Sequence, residues 1–162
     1  MEPYVYSPAY VLVISVLISF ALTIFHYEVL GWLTTVIAKI KNVRKIHVLI
    51  AMLALTATHM ISIGIYAIIY YVMINILEVG GILNTVHTHF DTTSFRDLIY
   101  YSITVYTSLG FGDLVPTGGL RVISGLETLN GLILVAWTAS YSYLVMSKYW
   151  TFKNTSRKLH FK

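Results

Sequence analysis

Apolar residues in this chain come in three long runs, not in the strict alternation of strands or the narrow stripes of soluble helices. The first extends from about Tyr10 to Leu33, the second from about Ile46 to Val79 and the third from about Val122 to Met146. Each reaches the roughly 20 helical residues needed to cross a bilayer core. A helix that is apolar all round belongs in lipid or in a large interior. The first run does not read as a cleaved leader, because Glu2 and no Lys or Arg precedes it and its apolar core is too long. It reads as a span.

Between the second and third runs lie about forty residues of mixed character. Thr93 to Tyr106 reads TSFRDLIYYSITVY, with a cap at Thr93 or Ser94 and Asp97 in the first turn. That pattern predicts a helix of three or four turns, too short to span. Directly after it come Thr107-Ser108-Leu109-Gly110-Phe111-Gly112-Asp113, then Pro116 and the pair Gly118-Gly119. A short helix followed by a glycine-punctuated run reads as a re-entrant loop. Non-helical backbone persists at membrane depth only where protein buries it or a water-filled path faces it. An isolated strand there would leave its edges unpaired.

Composition strengthens the lipid reading. Of 162 residues 57% are hydrophobic and 11% charged, with a mean hydropathy of +0.73, more apolar surface than a small globule can hide. The net charge of +4 invites a nucleic-acid partner until the basic residues are placed. Lys39, Lys41, Arg44 and Lys45 lie between the first two runs, and Lys148, Lys153, Arg157, Lys158 and Lys162 follow the third, nine of the eleven Lys and Arg. The positive-inside rule makes that side cytoplasmic. Three spans in a cell membrane then put the amino terminus outside and the carboxyl terminus in the cytoplasm. The expected partner is membrane lipid, not nucleic acid. No cysteine is present, which excludes disulfides and thiolate chemistry. No paired carboxylates, nucleophile–base set or zinc helix motif appears, so neither an enzyme nor a cofactor is expected.

The run TSLGFGD resembles the potassium-channel signature, written TVGYGD with a preceding threonine. Upstream, Tyr100-Tyr101-Ser102 stands where many members of that family carry an aromatic pair and a serine. Downstream, Gly119 to Gly131 is similar to the start of the pore-lining inner helix. The likeness covers roughly residues 95–147 and, more loosely, the second run as outer helix; the first run has no counterpart in the minimal two-span channels. It implies an all-α membrane protein with three transmembrane helices, a re-entrant pore helix and a selectivity-filter loop, assembled as a homotetramer. The chain then divides into an amino-terminal helix with a basic loop (1–45), a pore domain (46–147) and a basic tail (148–162). The pore domain holds an outer helix (46–79), pore helix (94–106), filter (107–113) and inner helix (121–147).

By the same resemblance, K+ is the permeant ion. It would bind the carbonyls of Ser108, Leu109, Gly110 and Phe111, with the Ser108 hydroxyl as the innermost ring and Gly112 completing the filter. Thr107, Asp113, Tyr100, Tyr101 and Glu127 are the expected support, and Phe111 is expected to pack against Tyr100 and Tyr101. The chemistry demands such residues: a potassium ion sheds its water only if peptide oxygens replace it. Successive carbonyls face one axis only if the backbone alternates in handedness, which glycine does without a Cβ penalty, hence Gly110 and Gly112. Serine, leucine and phenylalanine replace the family's second threonine, valine and tyrosine, and Phe111 lacks the tyrosine hydroxyl. A non-selective cation channel, a non-conducting channel subunit and a broken-helix transporter remain alternatives.

Four further features stand out. Glu127 lies one turn before Gly131; a carboxylate at mid-membrane costs about 2.5–3.5 kcal/mol or more unless paired, protonated or wet. Since Thr104 occupies the place of the family's pore-helix glutamate, Glu127 could brace the rear of the filter, charge the cavity or simply pack. Gly131 is either a gating hinge or a point of close helix packing. Asp113 is expected at the outer mouth, drawing cations and bonding to Tyr100. His87, His89 and Asp91 alternate in the outer loop and could hold a transition metal or a proton, or do neither. His26, His47 and His59 fall on different spans and are expected to make helix contacts. No span carries the arginine ladder of a voltage sensor. Lipid, pH, tension and a partner subunit stay open as stimuli.

Overall fold

The computed structural model describes residues 8–40, 44–85 and 94–149. Three of its helices are long and apolar enough to cross a membrane. Helix α1 (Pro8–Lys39) and α2 (Arg44–Asn75) have 32 residues each, on the order of 48 Å at 1.5 Å per residue. The span read from Tyr10 to Leu33 is thus the apolar part of a helix that runs on to Lys39. α2 stops at Asn75, short of Val79, where Glu78 takes a left-handed conformation (φ 48°) and the Val79 amide reaches back to the Met73 carbonyl. That is the geometry of a helix stop. A short helix α3 (Phe95–Tyr106) and the long α4 (Leu120–Tyr149) complete the helical set.

The packing of the long helices inverts the soluble pattern. On α1 the buried positions Val11, Ser15, Leu22, His26, Leu30, Leu33 and Ile37 recur at steps of three, four and, once, seven residues, a single inward stripe. Leu12, Leu17, Phe20, Ile24 and Trp32 face outward and are exposed. Apolar residues inside and outside suit a helix that exchanges water for lipid. α1 lies parallel to α4, Val11 packing near Gly119 and Thr34 near Tyr141, while α2 runs antiparallel between them, with Tyr70 against Ser124 and Leu55 in the cluster that holds Val145.

One element was not anticipated. Ile82–Asn84 (β1) and Leu114–Pro116 (β2) pair antiparallel, with Leu83 opposite Val115. Three residues are too few to carry a period-two signal, and side chains sustain the ribbon. The Gly81 amide donates to the Thr117 hydroxyl at 3.0 Å, and that hydroxyl lies 2.9 Å from the Gly81 carbonyl. The ribbon joins the end of α2 to the segment after α3. The fold is therefore all-α apart from this clasp.

Candidate functional site

α3 is amphipathic: Leu98, Tyr101, Ser102 and Thr104 are buried against α2 and α4, and the opposite face is open. Ser94 holds the cap position without a side-chain capping bond; its carbonyl instead accepts from the Asp97 and Leu98 amides. Thr93, the other expected cap, lies outside the described residues.

At its carboxyl end α3 unwinds into residues 107–113. The Thr107 hydroxyl donates back to the Ile103 carbonyl at 2.7 Å. The Ser108 amide donates to Val105 O, and the amides of Leu109 and Gly110 share the Thr104 carbonyl at 2.9 and 3.1 Å. Ser108, Gly110 and Gly112 all have positive φ (56°, 48° and 81°), while Leu109 and Phe111 between them do not. Alternating handedness turns successive carbonyls to the same side. Among the described residues the carbonyls of Ser108, Leu109, Gly110 and Phe111 accept no hydrogen bond. The amides of 108–110 are tied to α3, while these oxygens have no partner among the described residues.

The outer end of this run is held differently. The Tyr100 hydroxyl donates to the Asp113 carboxylate at 2.8 Å. Accepting that proton, the carboxylate raises the Tyr100 phenol above its ordinary value. The Thr85 amide donates to the Asp113 carbonyl at 2.8 Å, and the Thr85 hydroxyl to Gly112 O at 2.8 Å. Thr85 is a site residue that sequence reading missed; only the strand pairing brings it here.

Behind α3 a polar network occupies the interior. Glu127 is fully buried; its carboxylate accepts from the Ser102 hydroxyl at 2.6 Å and from the Tyr70 hydroxyl. Ser124 bonds Tyr101 at 2.7 Å and Tyr70 at 3.1 Å. The carboxylate thus faces the rear of the pore helix, not an open cavity. Its hydroxyl partners satisfy oxygens that would otherwise be costly to bury. Lower down, the Thr128 hydroxyl reaches Val105 O at 3.0 Å, and the Tyr106 carbonyl sits against Gly131 where any Cβ would collide.

Residues 46–148 match the family model described as "Ion channel". The chain belongs to that ion channel family. With three apolar spans the chain is a multi-pass membrane protein. It is also 38% identical over 58 residues to the "Uncharacterized membrane protein YdjJ" of Bacillus subtilis (strain 168). That match covers 35% of this chain and 17% of the relative's length. No solved structure matches the chain significantly.

Some expected contacts in this channel chain are made elsewhere or not at all. Phe111 is 65% exposed and does not pack on Tyr100 or Tyr101 within the chain. Consecutive residues on a helix diverge by about 100°, so the two tyrosines part. Tyr100 turns to Asp113, and Tyr101 turns inward to meet the Tyr70 ring edge-on at 5.1 Å. Gly131 lies in an unbroken helix and makes a close contact. His26 and His59, on different spans in the sequence, meet with ring centroids 5.3 Å apart. His47 stacks on Tyr149 at 4.4 Å. His87, His89 and Asp91, and the tail residues Lys153, Arg157, Lys158 and Lys162, lie outside the described residues. Among the described residues no group of three metal-binding side chains occurs.

Proposed function

We propose that four copies of this chain surround one axis and form a potassium-selective channel, with the amino terminus outside and the carboxyl terminus in the cytoplasm. The observation that carries this is the alternation of φ at Ser108, Gly110 and Gly112, with carbonyls at 108–111 that accept no hydrogen bond among the described residues. Bare peptide oxygens at membrane depth need a protein or aqueous partner. Residues 107–112 are all exposed in the single chain, so the cover has to come from other copies. Depth is consistent: Tyr106 meets Gly131, eleven residues into α4, roughly 16 Å along it at 1.5 Å per residue.

Four sets of carbonyls around one axis replace an ion's hydration shell. The carboxyl end of α3, carrying the negative end of the helix dipole, points at the inner ring and favours a cation there. Phe111 then finds its packing on a neighbouring copy, and Asp113 faces the outer mouth. The orientation follows from the basic residues at the α1–α2 turn and beyond α4.

Purified protein in liposomes tests this directly. We expect barium-sensitive potassium flux whose reversal potential follows the potassium gradient and disregards sodium. A reversal potential that weighs the two equally identifies a non-selective cation channel. No flux from the pure chain, with flux restored by another channel protein, identifies a regulatory subunit.

A further inference from the structure

Four polar side chains from four helices meet in the membrane interior and have no part in the filter itself. His59 Nδ1 on α2 lies 2.9 Å from the Tyr106 hydroxyl on α3, and His59 Nε2 lies 2.9 Å from Thr138 Oγ1 on α4. Beyond it, His26 Nε2 on α1 lies 3.1 Å from the same Thr138 oxygen. His26 is fully buried beside Trp137, and its Nδ1 has no partner.

Counting protons gives the chain a direction. Thr138 has one hydroxyl proton and two ring nitrogens facing it, so at most one of the two histidines accepts from it. If His26 Nε2 accepted, its unpartnered Nδ1 would be a buried N–H donor. If His26 Nε2 donates, Nδ1 is a bare acceptor, the less rare of the two orphans. With His26 N–H donating to Thr138, one continuous order runs from Thr138 O–H to His59 Nε2 and from His59 Nδ1–H to the Tyr106 oxygen.

Tyr106 is the last residue of α3. Its carbonyl abuts Gly131, its ring packs near His59 and Tyr66, and Ser108 lies two residues on. Moving its phenol moves the turn whose Thr104 carbonyl holds the Leu109 and Gly110 amides. We propose that the chain His26–Thr138–His59–Tyr106 positions the inner end of the filter, and that this gives α1 its part in conduction. His59 is the central positioning residue. The proposal rests on the channel reading of residues 108–111.

The ionisable groups around it are few. α1 contributes His26, with Tyr27 behind Trp137; α2 contributes His59 and Tyr66; α3 contributes Tyr106; and from α4 Glu127 acts through space on Tyr66 and Tyr106. Among the described residues no carboxylate contacts either imidazole. An imidazolium would be an unpaired buried charge, so acid has to loosen the chain before protonating it.

The test compares barium-sensitive potassium flux in liposomes for the full chain and for Tyr106→Phe, His59→Leu, His59→Gln and His26→Leu. Losing one hydrogen bond of this kind is expected to cut flux roughly fivefold in Tyr106→Phe and His59→Leu. Glutamine, which can both donate and accept, restores most of it. Because the residues act as one unit, the Tyr106→Phe/His26→Leu double variant falls no further than Tyr106→Phe alone. Multiplying losses in that double variant, or wild-type flux in both Tyr106→Phe and His59→Gln/His26→Leu, overturns the proposal. A readout independent of conduction separates this from failure of the channel reading: nitrogen NMR of labelled histidine in lipid. The His59 Nδ1 signal is expected to shift in Tyr106→Phe and also in His26→Leu. If only the first moves it, α1 is not coupled to the filter, whether or not the protein conducts.

Discussion

At the scale of single residues, the filter run separates conformation from packing. A Cβ added at Gly110 would meet nothing within 4 Å, yet its φ of 48° is one that side chains rarely take. The penalty for an L-residue there is about 1–2 kcal/mol, spent on the ion path and not on the core. Gly110→Ala is therefore expected to abolish potassium flux in liposomes while its melting temperature in detergent stays near wild type. Tyr100 allows a pH prediction at the outer mouth. Its neutral phenol donates to Asp113 and its ionised form cannot, so the bond is fully present below the ordinary phenol value of 10.0 and is lost as pH rises through the raised one. The melting-temperature gap between wild type and Tyr100→Phe should stay constant from about pH 6 to 9 and close in the alkaline range. Residue identity revealed these sites unevenly. Glycine advertises a positive φ, as at 110 and 112, but Ser108 takes one too (56°) and nothing in a serine announces it. Thr85 was invisible for another reason: its two bonds to Gly112 and Asp113 exist only once β1 finds β2.

At the scale of elements, small residues set how closely helices approach. The Tyr106 carbonyl occupies the space a Gly131 side chain would need, so α3 and α4 must separate if one is added. Overpacking of this kind typically costs about 1–3 kcal/mol. At Gly64, in the middle of α2, an added Cβ meets nothing within 4 Å, and exchange for alanine gains up to about 1 kcal/mol of helix propensity. Thermal unfolding should therefore move in opposite directions in Gly131→Ala and Gly64→Ala. Equal shifts would contradict the close contact between pore helix and inner helix. The long helices were legible because lipid demands about 20 apolar residues in a row. The ribbon was not, since three-residue strands carry no usable period. The histidine pair was legible only in depth, a coordinate that hydropathy does not print. His26 lies eighteen residues from the start of α1, His59 sixteen from the end of α2 and Thr138 eighteen from the start of α4, so all three share one level.

At the scale of the whole molecule, much of one chain's surface is open. Residues 107–112 are exposed, the carbonyls of 108–111 accept no hydrogen bond among the described residues, and Leu129, Leu132 and Ile133 on α4 are about half-exposed. The closure around an axis that we propose would cover these features, because each copy offers the same surface to the next. The number of copies has a measurable signature that does not depend on purifying one oligomer. If Gly110→Ala spoils the filter without unfolding the chain, one such subunit poisons the ring it joins. Co-expressing wild-type and Gly110→Ala chains in equal amounts leaves all-wild-type rings as one-half raised to the number of subunits. Four subunits leave about 6% of the flux, against about 25% for a pair. Flux near one-half would mean that each chain conducts alone. The carbonyls of 108–111 would then have to line a path inside one chain, where among the described residues α3 (Tyr101, Thr104, Val105), β2 (Leu114, Pro116) and the wall of α4 line the groove beside them.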